Sequence, residues 1–129
     1  MKTWQKARDH CREMGGDLAT VPNEARQVEI HGIVSSVLPN APLTTYNGHE
    51  YVTSAWLGIR RDKIALGQVI DRRWKDIHGV HQVYENFHEE KKDTGDCVVM
   101  TVNQEFISHN GAWGKGVCHG VSHYVCEKG

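Results

Sequence analysis

Apolar residues recur along this chain at changing spacings, and the changes mark where elements begin and end. Trp4, Ala7, Cys11 and Met14 stand three and four apart behind Thr3, the pattern of an amphipathic helix with a hydroxyl cap. Gly15-Gly16 stops it, because glycine supplies the left-handed backbone that closes a helix at least cost. Leu18-Ala19-Thr20-Val21 then reads as an extended crossing of the core before Pro22. Asn23 caps a second helix, Glu24 sits in its positive first turn, and Ile30, Ile33, Val34, Val37 and Leu38 form its apolar stripe until Pro39 ends it.

Ala55-Trp56-Leu57-Gly58-Ile59 breaks with this spacing. It is short, uncharged and apolar at every position but Gly58, as expected of a strand covered on both faces at the centre of the core. Before it, Asn47-Gly48 between Thr44-Thr45-Tyr46 and Tyr51-Val52-Thr53 is a hairpin signal within a longer connection. After it, Arg60-Arg61-Asp62-Lys63 reads as a solvated turn, with Val69-Ile70 and Arg73-Trp74 as pieces of strand. Asp76 to Asp96 is polar and irregular, a long loop pinned by Val80, Val83, Tyr84 and Phe87. Strand patterns return at Cys97 to Val102, at Ala112-Trp113 and at Ser122 to Cys126; short connections at Asn110-Gly111 and His119-Gly120 favour antiparallel pairing among them.

The 129 residues fit one domain spanning 1–129. Fifteen Lys and Arg against sixteen Asp and Glu leave a net charge of -1, which offers no field for nucleic acid or an anionic membrane. No apolar run approaches the roughly eighteen residues that span a bilayer, and Met1-Lys2-Thr3-Trp4 enters the first helix with no signal-peptide core, so a leader is expected to have been removed or the chain to be an excised piece. Cys11, Cys97, Cys118 and Cys126 lack the close pairing of a zinc site and read as disulfides in an oxidising compartment, with three pairings open. There is no Gly-x-Ser-x-Gly turn, phosphate loop or His-Glu-x-x-His run to place a catalytic group, so no enzyme is expected. Of nine histidines, His78, His81 and His88 fall in or beside the loop; without a tight spacing rule they read as solvent-facing, and no metal site is assigned to them.

Thr3-Trp4, Ala7, Cys11, Gly15-Gly16 and Leu18-Ala19 keep the spacing of the opening motif of the C-type lectin-like domains, and the resemblance runs along nearly the whole chain. Trp56-Leu57-Gly58-Ile59 is similar to that family's core strand, Trp74 with Gly79 to its Trp-x-Asp-Gly segment and Asn86-Phe87 to its Asn-Trp pair. Asp96-Cys97-Val98, Trp113, Cys118 and Tyr124-Val125-Cys126-Glu127 complete the set. The resemblance implies an α+β fold, two helices on a mixed, mostly antiparallel sheet, with the long loop as ligand site. It also implies Cys11 bonded to Cys126 and Cys97 to Cys118.

Two departures qualify this. Relatives carry a first strand upstream of Thr-Trp that pairs with the last; here there is no room for it, so an uncovered edge is expected from Ser122, open to oligomerisation. Sugar-binding relatives hold calcium through Glu-Pro-Asn or Gln-Pro-Asp in the loop and Trp-Asn-Asp on a later strand. Here the loop from Phe87 to Asp93 has no proline, and Trp113 is followed by Gly114-Lys115. Calcium takes six to eight oxygens, so Glu89, Glu90 and Asp93 undersupply it; no cofactor is expected, and calcium, with its usual ligands missing, is the one candidate left open. The resemblance thus implies a secreted or extracellular binding domain. Its ligand, a protein or other non-sugar partner, with glycan as the alternative, is expected at Glu85, Asn86, His88, Glu89, Glu90, Asp93 and Lys115.

Overall fold

The computed structural model describes residues 2–37, 45–46, 49–50, 53–62, 67, 73–87, 95–102 and 111–128. The first helix, α1 (Trp4–Glu13), starts where Thr3 accepts the Lys6 N–H and ends before Gly15, whose φ of 88° is the left-handed closure. It buries Trp4, Ala7 and Cys11. The chain then forms β1 (Gly16–Leu18), two residues earlier than the expected crossing, although Leu18, Ala19 and Val21 are all fully buried. The second helix, α2 (Glu24–Val37), is capped by Asn23 Oδ1, which accepts the Arg26 N–H at 2.9 Å.

Its buried face corrects the sequence reading. Gln27, Ile30 and Val34 are buried, whereas Ile33 is 51% exposed. Successive residues turn by about 100°, so Gln27, Ile30 and Val34 share an arc of about 60° and Ile33 lies outside it on the solvent side. Leu38 and Pro39 lie outside the described residues. β2 (Thr45–Tyr46) pairs antiparallel with β3 (His49–Glu50), Tyr46 opposite His49, so the expected hairpin returns at His49–Glu50 and not at Tyr51 to Thr53; Asn47-Gly48 and Tyr51-Val52 lie outside the described residues.

The centre is β4 (Thr53–Arg60). It pairs antiparallel with β6 (Cys97–Val102), which pairs antiparallel with β7 (Trp113–Gly116). It also pairs with β5 (Lys75–Asp76), antiparallel, and with β8 (His123–Tyr124), parallel. Alternation along β4 sends Ala55, Leu57 and Ile59 into one core cluster, with Ile30, Val34, Val98, Met100 and Trp113, and Trp56 into a second, with Trp4, Cys11, Leu18 and Cys97. The strand is thus covered on both faces, as expected.

The last strand, β9 (Cys126–Lys128), pairs antiparallel with β1. The expected strand from Ser122 to Cys126 is therefore two short strands serving different partners, and β8 runs parallel to β4 instead of pairing with β7. Nor is the edge at Ser122 uncovered: Lys2 and Ser122 exchange backbone hydrogen bonds of 3.0 Å. Both implied disulfides, Cys11–Cys126 and Cys97–Cys118, are present.

Arg60 and Arg61 are not a solvated rim. The Arg60 guanidinium lies 5.0 Å from the centroid of Trp4, and that of Arg61 lies 4.5 Å from Trp74 while it pairs with Asp96 at 3.1 Å. Val69-Ile70 lies outside the described residues, and Arg73-Trp74 precedes the strand at β5.

Candidate functional site

Between β5 and β6 the chain first makes a tight return. Asp76 Oδ1 accepts the N–H groups of His78 and Val80, Gly79 takes a φ of 80°, and Lys75 bridges His81. This compact turn explains why Val80 and Val83, expected as anchors, are exposed instead, Val83 at 91%. Backbone polar groups inside the turn hold it. The segment that follows is held by Tyr84, Asn86 and Phe87.

Asn86 fastens the loop to β7. Its carbonyl accepts the Trp113 N–H at 2.9 Å, and its side-chain amide donates to the Gly111 carbonyl at 3.2 Å. Phe87 bridges Trp113 in parallel. A row of rings then runs through this root: Trp74 to Phe87 at 5.2 Å, Phe87 edge-on to Trp113 at 5.4 Å, and Trp113 edge-on to Tyr84 at 5.7 Å. Such offset and edge contacts suit the ring quadrupole and add to the area they bury. Arg61 closes one end over Trp74, and the Lys115 ammonium lies 5.7 Å from the centre of Phe87.

Beneath the row lies a buried polar knot that the sequence reading missed. Gln27, 5% exposed, donates to the Gly111 carbonyl at 2.6 Å and accepts the Trp113 indole N–H at 2.8 Å. Gly111 thus receives both Gln27 and Asn86, and its φ of 84° brings its carbonyl where both can reach. The available signal was a single amide on the apolar face of α2, three residues before Ile30. Tyr84 donates its hydroxyl to Glu24 in the first turn of α2; burial first, and that carboxylate second, push the phenol up to about 12.

Of the expected ligand residues, Glu85 is exposed beside this root and Lys115 projects over it, while Asn86 is spent on the scaffold. His88, Glu89, Glu90 and Asp93 lie outside the described residues. Lys115 shares a face of β7 with Trp113, whereas Gly116 faces the other way, where a Cβ would come within 2.8 Å of the Trp56 ring. Among the described residues no group of three His, Cys, Asp or Glu is arranged to hold a metal, and no helix there is long and apolar enough to cross a membrane.

Comparison with known proteins gives consistent findings. The family model for the lectin C-type domain matches residues 1–128. A curated relative, the secretory phospholipase A2 receptor of Bos taurus, is 27% identical over 131 residues, covering 98% of this chain but only 8% of that protein. Among solved structures, the mouse scavenger receptor C-type lectin carbohydrate-recognition domain superposes with a TM-score of 0.66 at 16% identity, over 97% of this chain and 79% of that one. A calcium-independent type II antifreeze protein does so at 0.64 and 20% identity, over 97% and 77%.

Proposed function

Since this chain belongs to the C-type lectin domain family, we propose that it is an extracellular, non-catalytic recognition domain. Its loop region between β5 and β6 contacts a protein or other non-sugar ligand, with no calcium ion bridging the contact. Members of the family are generally binding domains, and two disulfides suit an oxidising compartment. The fold does not choose the ligand, since one structural neighbour is named for carbohydrate recognition and another for calcium independence.

The observation that carries the reading is Lys115 over Phe87. On β7 the resemblance sets an Asn-Asp pair after the tryptophan, and here Gly114 has no side chain and Lys115 brings an ammonium to the root of the loop. The side-chain amide of Asn86 is committed to Gly111. Among the described residues this root therefore does not fit a cation that takes six to eight oxygens. Lys115 beside the Phe87 ring gives it a mixed charged and aromatic surface, which supports a protein or other non-sugar ligand.

A thermal melt with and without calcium tests this. A folded-state site of millimolar affinity would stabilise by about 1.4 kcal/mol at ten-fold excess, raising Tm by about 4 °C. The expected shift is none. A rise reversed by chelator and lost in Glu89→Gln with Glu90→Gln would replace this reading with calcium-dependent glycan recognition, and a glycan array probed with and without chelator would then identify the sugar.

A further inference from the structure

Past the far end of β7 from Trp113, a cavity of about 460 Å³ opens between the start of α1, the end of β4 and the turn that carries the second disulfide. Pockets for small ligands commonly measure about 300–1,000 Å³. Thr3, Gln5, Arg60, Asp96 and His119 supply its polar lining, and Val117 and Cys118 an apolar wall.

Arg60 is the group that asks for a ligand. Its guanidinium rests on Trp4, a ring that is 1% exposed and fixed by an indole N–H bond of 2.8 Å to the Leu57 carbonyl. A guanidinium lying on a ring keeps its N–H edge available for a planar, bidentate acceptor. Arg60 has no ion pair among the described residues. The acid in the same wall, Asp96, is paired with Arg61 at 3.1 Å, so among the described residues the lining carries no carboxylate paired with Arg60. The end of α1 adds little, because Trp4 N donates to the Cys118 carbonyl and Lys6 N to Thr3. Gln5 is turned along the helix, its amide nitrogen bonded to Asp9 at 3.0 Å.

We infer that this cavity binds a small organic carboxylate, with a body no larger than a monosaccharide, whose two oxygens meet the Arg60 fork while its body lies against Val117 and Cys118. Among the described residues of the loop region, Gly95 and Asp96 line the site, and binding there does not depend on how Lys115 and the ring row recognise a ligand.

The test is a chemical-shift titration of the whole chain with hippurate and with D-glucuronate, against the neutral amide of hippurate and against glucose. Saturable shifts at the Trp4 indole and the Val117 and Cys118 amides are expected from at least one carboxylate, with a dissociation constant of about 1 mM. Arg60→Gln should weaken binding about tenfold, Arg60→Lys less, and Lys115→Gln not at all. Equal shifts from the neutral amide, shifts centred on Asn86 and Lys115, no saturation by either carboxylate, or undiminished affinity in Arg60→Gln would each overturn the inference. If Arg60→Gln does not fold, the comparison of hippurate with its amide on the unaltered chain decides.

Discussion

Gln27 shows what one side chain can hold. It links α2 to the Gly111 carbonyl and to the Trp113 indole, both in the interior. Gln27→Leu would fill the space but orphan a buried N–H, and a lost partner of that kind costs about 1–3 kcal/mol. A urea melt should show a lower midpoint with an unchanged slope. Tyr84 makes a second test possible. Its folded pKa of about 12 lies above the usual value near 10, so its contribution to stability is whole below about pH 10 and is lost as pH rises through about 12. The tyrosinate absorbance, taken as the difference from Tyr84→Phe, should have its midpoint near 12; Glu24→Gln should lower it, though not to 10, since burial remains. At this scale Thr3, Asn23 and Trp56 were legible, because caps and a large apolar side chain in an uncharged run have one use each. Gln27 and Arg61 were not, since a polar residue at a buried position is recognised only by the partner it finds.

Among the elements, β4 and β6 were readable from composition, whereas the full pairing of the strands was not. An uncharged run announces burial on both faces, but which strands flank it depends on pairings such as Ala55 with His123, which no local pattern records. The same limit misplaced Ile33: two candidate stripes run along α2, and only the position of Trp113 and Met100 chooses between them. β4 also shows why Gly58 interrupts the apolar run. A Cβ there would stand 2.8 Å from the Leu18 carbonyl oxygen and 3.1 Å from that of Ala19, and the Gly58 N–H donates to Ala19 at 2.7 Å. Gly58→Ala should therefore force β1 away from β4 and cost about 1–3 kcal/mol, the range for overpacking. A Tm within 1 °C of the parent, about the reading error, would show that β1 can yield at no cost.

For the molecule as a whole, the family's spaced residues carried most of the architecture, including both disulfide pairings, because widely separated positions in fixed order constrain a fold more than any one motif. The closing of the Ser122 edge by Lys2 was not foreseen, since a single pair of backbone hydrogen bonds leaves no signature in side chains. At the root of the loop, the row of rings was visible only in part, through Phe87 and Tyr84, since its other members, Trp74 and Trp113, lie far away in the sequence.

The bond between Cys11 and Cys126 has a mechanical meaning. Tension applied at the two ends of the chain meets it once α1 up to His10 and the last residues of β9 have peeled away, and the 115-residue span it closes stays out of the load path. At about 3.4 Å per residue, roughly 390 Å of contour is hidden behind one covalent link. Cys126 is exposed while Cys11 is fully buried, so attack by a thiol is expected at Cys126. Pulled between its ends, the oxidised domain should behave as a short, nearly inextensible tether. Adding a reductant under load should release most of that hidden length, whereas a full extension without reductant would show that the bond does not carry the force.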